Sequence, residues 1–287
     1  MQDAQFQLHA EVEERHWWFT GRRKILNDVV RTLIPPPQPG LMLDVGCGTG
    51  ANIAGFASDY RCLGIDTSEE AIRWAKSRFP QVEFVCGPAP AAIRERMAEV
   101  RLMTMTDVLE HVPDDFLLFS QLLAELPVGA YAVLTVPAER ALWSPHDVAY
   151  AHYRRYSRER FRQIWTGLPV KEICLSTFNT RLYPLIKLVR RLNRRQGHAQ
   201  GTAGTDVSVP PGPINAMLSR LFAGESKRVV DCVKGRSSGY RRGVSLIAVL
   251  QRQEGPMTPR TRPKDVECDM YDPAAGVYLK RRMRDEG

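Results

Sequence analysis

The chain has 287 residues, 44% hydrophobic and 25% charged, the balance of an ordinary globular protein long enough to bury one sizeable core. No apolar run approaches the roughly 18 residues that a membrane span needs, and the polar, acidic start does not read as a secretion signal. A cytoplasmic protein is therefore expected, with its six cysteines (47, 62, 86, 174, 232 and 268) as reduced thiols, since they form no C-x-x-C pairs and several fall on predicted strands. The net charge of +8 is uneven: residues 1–139 carry −7, residues 140–252 carry +15, and the remainder balances. A basic half of this kind favours an anionic partner, whether a carboxylate or phosphate compound, a lipid surface or nucleic acid.

Residues 4–33 read as helical and must stop before Ile34-Pro35-Pro36-Pro37, because proline cannot continue a helix. Inside lies His16-Trp17-Trp18-Phe19, followed by Arg22 and Arg23. An apolar run at 41–45, interrupted only by Asp44, then ends in Gly46-Cys47-Gly48-Thr49-Gly50, and Ala51 opens a helical pattern. This is a buried strand, a tight turn and a helix N-terminus. Glycine serves where backbone must turn with positive φ or approach a ligand. Open α/β sheets bind nucleotide-like ligands at such corners.

Gly46, Gly48 and Ala51 satisfy the G-x-G-x-x-[GA] dinucleotide pattern, which on glycines alone is weak. Asp44 separates the readings: a carboxylate just ahead of the turn repels a pyrophosphate and attracts a ligand bearing an ammonium and a sulfonium. A second strand at 62–66 ends in Asp66, roughly twenty residues on, the interval at which an acid reaches ribose hydroxyls. Asp66 suits an adenosine and Asp44 a cationic amino-acid tail; S-adenosylmethionine carries both.

Thr67-Ser68-Glu69-Glu70 caps a helix running to residue 78, and a third strand at 82–86 leads to Gly87-Pro88-Ala89. The fourth strand, 102–106, runs into Asp107-Val108-Leu109-Glu110-His111. An amphipathic helix at 114–126 precedes a fifth strand at 130–136. Between 143 and 156 lie Trp143, His146, Asp147, Tyr150, His152, Tyr153, Arg154, Arg155 and Tyr156, a composition suited to an aromatic or anionic acceptor. The bland alternative makes Tyr153 and Tyr156 core residues and pairs Arg154 with an internal acid. A sixth strand spans 170–178. The segment 181–195 is a basic amphipathic helix, either a lid with a solvated face or a helix lying on an anionic membrane. A Gly/Ser/Pro-rich loop, a helix at 214–233 and a seventh strand at 244–250 follow.

The segments L-D-V-G-C-G-T-G and G-I-D-T-S resemble the first two motifs of the class I S-adenosylmethionine-dependent methyltransferases. His16–Arg23, Asp107–His111, His146 to Tyr156, Val209-Pro210-Pro211 and Arg242-Gly243-Val244-Ser245-Leu246 extend the resemblance to the small-molecule branch related to ubiquinone-biosynthesis methyltransferases, over about residues 10 to 252. It implies a three-layer, Rossmann-like α/β sandwich with strand order 3-2-1-4-5-7-6, the last strand antiparallel. It implies an N-terminal cap at 1–36, a catalytic domain at 37–252 with acceptor-site insertions near 138–165 and 180–235, and a tail at 253–287 without an assigned role. The donor is expected at Trp18, Arg23 (or its neighbour Arg22), Asp44, Gly46, Cys47, Gly48, Gly50, Asp66, Thr67, Gly87, Ala89 and Asp107. Relatives commonly place an acid at the adenine edge where this chain has Pro88, so backbone at Gly87 and Ala89 must serve.

For Asp107–His111 three roles stay open: His111 as general base, Asp107, Glu110 and His111 as ligands of a divalent cation, or Glu110 and His111 as loop supports. His146 is the alternative base. The acceptor is expected at His146, Tyr150, His152, Tyr153, Arg155 and Tyr156. The expected partner is a small molecule rather than nucleic acid, because an Asn-Pro-Pro-Tyr type of motif is missing after the fourth strand; peripheral membrane contact and a monomer or homodimer are compatible. A cofactor-binding protein that transfers no methyl group is the reading from another class.

Overall fold

The computed structural model describes residues 3–196, 207–264, 266, 268–272 and 277–281. Its centre is β1 (Leu41–Val45), buried throughout and hydrogen-bonded in parallel to β2 (Arg61–Asp66) and β4 (Val100–Thr106). With β3 (Glu83–Cys86), β5 (Tyr131–Pro137), β6 (Val170–Phe178) and β7 (Ser245–Arg252) the sheet has seven strands in the order β3-β2-β1-β4-β5-β7-β6. β7 is antiparallel to both neighbours, so β6 runs parallel to β5. Six strands therefore end at one edge, the usual ligand edge of such sheets.

Strand alternation divides the core into two layers. Leu41, Leu43 and Val45 pack on one side with Phe116, Phe119, Leu122 and Leu123, whereas Met42 faces Ile25, Leu26, Val29 and Val30 on the other. Asp44 shares the parity of Met42 and so lies on the second face, beneath the N-terminal helices. These are two, α1 (Asp3–Val12) and α2 (Trp17–Leu33), not the single helix expected over 4–33. The chain breaks at His16, whose side chain accepts from the Trp18 N–H and caps α2.

Past β1 come α3 (Ala51–Ala54), α4 (Glu69–Arg78), α5 (Arg94–Met97), α6 (Asp115–Glu125), α7 (Pro145–Ala149), α8 (Arg158–Gln163), α9 (Tyr183–Gln196), α10 (Gly212–Ala223) and α11 (Ser226–Val233). The helix expected over 214–233 is thus divided. At the break, Glu225 turns inward and accepts from the N–H groups of Thr180 and Arg181. Cys174 of β6 and Cys232 of α11 form a disulfide, with Cα atoms 5.7 Å apart. This corrects the expectation of reduced thiols throughout: neither residue has a sequence neighbour to betray the pair, and only the packing of α11 on β6 brings them within bridging range. After β7 the chain crosses α6 and α8, where the Arg260 N–H donates to Ser120 Oγ and Val266 is buried. The hairpin of β8 (Cys268–Asp272) and β9 (Val277–Arg281) follows, and the Tyr271 N–H donates to the Tyr153 carbonyl. Among the described residues no helix is long and apolar enough to cross a membrane.

Candidate active site

The turn after β1 is shaped by its glycines in two different ways. Gly48 has φ +53, and a Cβ added there would meet no atom within 4 Å, so its surface is open to a ligand. Gly50 has φ +89, caps α3, and a Cβ there would come within 2.8 Å of the Phe84 ring. Gly50 is thus needed for folding the corner and is not part of the cavity wall, whereas Gly46, Cys47 and Gly48 are. Asp66, at the end of β2, accepts from the Gly48 N–H through Oδ2 (2.9 Å) and from the Ser68 N–H through Oδ1 (2.9 Å). Two backbone donors fix the carboxylate at the wall, beside Thr67 and across from Gly87, Pro88 and Ala89.

Asp44 lies one layer deeper and does not itself line the cavity. Thr104 donates to its Oδ1 at 2.6 Å, while Oδ2 is buried without a partner among the described residues. Burial pushes its carboxyl up to about 7, against the pull of Thr104 and of the Arg22 guanidinium. A cation lodged near it would restore the ionised form.

The N-terminal helices close the cavity from above. Arg22 pairs with Asp107 and stacks over Trp18 with its guanidinium 4.2 Å from the ring centroid. Of the two neighbouring arginines it is Arg22 that reaches the cavity; Arg23 does not line it and lies near Glu13, Glu14 and Arg78. Asp107 directly follows β4 with φ +58, an uncommon conformation for a residue with a side chain, and also accepts from Thr135 Oγ1. Glu13, just after α1, accepts from Thr49 Oγ1 at 2.6 Å and pairs with Arg78. At the opposite end of α1, Gln5 donates to the Ala149 carbonyl and His9 meets the Tyr150 hydroxyl at 2.8 Å. One helix therefore touches both the glycine corner and the loop expected to hold the acceptor.

That loop alternates in direction. His146, Tyr150, His152 and Arg155 line the cavity. Tyr156 is fully buried on the far side and donates to Asp115, which Arg160 also holds through two bonds of 2.9 and 2.8 Å. Arg154 is likewise buried, donating to the carbonyls of Val112 (2.6 Å) and Pro113 (2.8 Å). Tyr153 is not a wall residue; its N–H donates to the Glu110 carbonyl and pins the loop to the end of β4. Tyr153 and Tyr156 are thus taken from the acceptor set and given structural places, because the backbone pairing that anchors the loop points them away from the opening. The hub of the loop is Asp147, fully buried, which accepts from the Ser144 N–H (2.9 Å), Arg155 Nε (2.7 Å) and Arg190 Nη1 (3.1 Å) and contacts His152 Nδ1 (3.0 Å). Burial alone would raise its carboxyl, but the Arg155 and Arg190 guanidiniums and His152 hold it well below the usual carboxylate range.

All of these wall residues border one cavity of about 900 Å³, which also takes in α9 through Leu185, Ile186, Val189 and Arg190. Five of the six histidines line it: His9, His16, His111, His146 and His152. Burial, with neighbouring positive groups, holds His111 and His146 well below the ordinary imidazole value, so both rings stand neutral. Glu110 is buried with no partner on either carboxylate oxygen among the described residues, and burial and Asp107 push it well up. One ligand atom each from Glu110, His111 and His152 lies within 4.8 Å of the others, so these three are the described residues that could hold a divalent cation. Asp107, expected among such ligands, is engaged by Arg22 instead.

Residues 17–182, more than half of the chain, match the family described as "Methyltransferase domain". The chain belongs to this methyltransferase family. Trans-aconitate 2-methyltransferase of Methylobacterium radiotolerans is 30% identical over 107 residues, covering 36% of this chain and 40% of the relative. The corresponding protein of Azoarcus is 30% identical over 111 residues, covering 36% and 42%. The chain thus matches about two fifths of the length of these relatives. Among solved structures, the plantazolicin methyltransferase BamL, in complex with a substrate analogue and S-adenosylhomocysteine, superposes with a TM-score of 0.52 at 14% identity, covering 87% of this chain and 90% of that one. The [4+2]-cyclase SpnF superposes at 0.50 with 18% identity, covering 82% of each. These similarities carry the shared fold.

Within the methyltransferase, one wall residue escaped sequence reading. Asn179 directly follows β6, has φ +56, lines the cavity and keeps both amide atoms buried without a partner among the described residues. The available signal was topological: β6 ends at the same edge as β1 and β4, so the residue after it belongs with the ligand positions. Glu13 and Arg190 were also unmarked, since one reads as a solvated helix residue and the other as part of a basic stripe.

Proposed function

We propose that this chain transfers a methyl group from S-adenosylmethionine to an oxygen, nitrogen or carbon of a small anionic or aromatic acceptor. The observation that carries the reading is the continuity of a single cavity: an anchored ribose-type acid beside an open glycine at one end, neutral imidazoles at the other. The residues fit the donor. Asp66 keeps acceptor capacity for ribose hydroxyls beyond its two backbone bonds, Gly48 leaves space where any side chain would project, and the orphaned Asp44 oxygen supplies a negative charge behind the turn. Trp18 and Arg22 belong with the methionine end, Gly87 and Ala89 with the adenine edge.

When bound, the donor supplies an electrophilic methyl group on a sulfonium. The protein's part is to hold the acceptor in line and dry, a contribution of about 7–11 kcal/mol in favourable cases. α1 and α2 roof the cavity; Tyr150, His152 and Arg155 orient the acceptor; Asp147 fixes Arg155 and His152. Where the acceptor must lose a proton, His111 or His146 takes it on a neutral ring nitrogen. The acceptor class is read from this cavity and from the basic half of the chain, because the trans-aconitate relatives are matched over only part of their length.

Calorimetry should show binding of S-adenosylmethionine and S-adenosylhomocysteine, and a metabolite screen with isotopically labelled donor, with and without chelator, should yield a labelled product by mass spectrometry. Binding of NAD without S-adenosylmethionine would overturn the reading. Donor binding without product across the screen would favour a protein of this fold that transfers no methyl group. Activity lost to the chelator would assign Glu110, His111 and His152 to a cation.

A further inference from the structure

α9 leaves part of its apolar surface uncovered. Its apolar residues recur at helical spacing, Leu185, Leu188, Val189 and Leu192, and such a stripe ordinarily faces the core. Here the inward positions are Leu182 just ahead of the helix, Ile186 and Arg190, the last buried and donating to the Leu142 carbonyl and Asp147. Leu188 and Leu192, 56% and 44% exposed, point away from the cavity, and Leu185 and Val189, 55% and 39% exposed, continue the stripe onto the cavity edge. α10 repeats the pattern with exposed Ile214, Met217 and Leu221. Both helices reach the cavity, α9 through Leu185 and Val189 and α10 through Leu218, so the exposed apolar surface runs into the cavity wall.

Charge selects the occupant. Residues 181–224 contain seven basic residues and one acidic one, and Lys187, Arg191, Arg195 and Arg220 are exposed on the same two helices. A second copy seated on this face would oppose like charges. Nucleic acid would use the cations and leave the leucines in water. Apolar side chains interleaved with basic ones match the interface of an anionic bilayer, where the leucines enter the acyl boundary and the cations meet the headgroups.

We propose that the α9–α10 face docks the protein on an anionic lipid surface, with the Leu185–Val189 edge of the cavity against the membrane. The inference does not depend on the methyl-transfer reading. It is tested by sedimenting the purified full chain with vesicles of phosphatidylcholine, with and without phosphatidylglycerol. Binding should require phosphatidylglycerol and weaken at high salt. The double variant Leu188→Glu/Leu192→Glu should lose about tenfold or more of the partition, and Lys187→Glu/Arg191→Glu a comparable amount at low salt. None of these four residues lines the cavity, and near-ultraviolet circular dichroism and the denaturation midpoint should remain parental in both variants and report that they are folded. Equal binding to both vesicle types, no binding, or binding unaffected by the variants would overturn the proposal. So would concentration-dependent self-association, or RNA binding, that the variants abolish while vesicles are ignored.

Discussion

Two buried aspartates, one under the glycine corner and one under the loop at 143–156, are treated in opposite ways. Asp44, under the glycine corner, has one neutral donor and an empty oxygen, and its carboxyl rises to about 7. Asp147, under the acceptor loop, gathers two guanidiniums, an imidazole and a backbone N–H, and its carboxyl stays well below the ordinary range. Burial is equal and partners differ. The acceptor side is preassembled from its own side chains; the donor side is built from backbone and keeps a buried charge site that only a ligand completes.

The strongest way to break this contrast is Asp147→Ala. It removes the carboxylate that Arg155, Arg190 and His152 share, and breaking a buried ion cluster from one side costs about 3–5 kcal/mol. Chemical denaturation should register that loss. Asp44→Asn, equally buried, should be near neutral or stabilising at pH 7, because it replaces a group the free protein already holds partly protonated. Equal losses from both would show that burial alone sets their worth.

Next in size is Asp66→Ala. Both carboxylate oxygens are held by loop N–H groups, so the variant loosens the turn at Gly48 and removes the proposed ribose contact. Donor affinity should fall on the order of 100-fold, about 2.7 kcal/mol, with the near-ultraviolet circular dichroism retained. Parental affinity would remove Asp66 from the site.

The donor side was readable because its determinants are local. Asp44, Gly46, Gly48 and Asp66 sit at or near strand ends whose apolar runs announce themselves; the seven strands follow from that pattern, while their order is implied by the family resemblance. The acceptor side was readable only in composition. Which of Tyr150, Tyr153 and Tyr156 faces the opening depends on a loop pinned by the Tyr153 N–H to Glu110, a contact 43 positions apart in the sequence. Arg190 looks like one more cation of a basic stripe until Asp147 arrives from another element. Asn179 and the Cys174–Cys232 pair are of the same kind, fixed by how β6 meets its neighbours.

A pH series sharpens the comparison further. With the folded-state carboxyl of Asp44 raised from 3.8 to about 7, its contribution to stability is full below the unfolded value and is lost as pH rises between them. A cationic donor favours the ionised form, so donor affinity should fall up to tenfold per unit below pH 7. Asp44→Asn should flatten that slope. His111 and His146 are already neutral across this window, so kcat at saturating donor should show no break near the ordinary imidazole value. A break in kcat near 6.5 that survives in Asp44→Asn would return the titration to a histidine.

The smallest expected effect falls on Tyr156, and it decides which way the acceptor loop faces. The hydroxyl donates to Asp115 at 2.9 Å, but Arg160 holds the same carboxylate through two further bonds. Tyr156→Phe therefore leaves Asp115 paired and removes one hydrogen bond of about 0.5–1.5 kcal/mol, with no volume change in the core. Stability should drop by that amount while kcat and KM for both substrates hold. Tyr150→Phe, whose hydroxyl meets buried His9 at the cavity wall, should cost at least as much stability and in addition raise the acceptor KM. If Tyr156→Phe moved kcat and left the denaturation midpoint unchanged, its ring would have to turn toward the cavity, and the alternation of the loop between core and opening would be wrong.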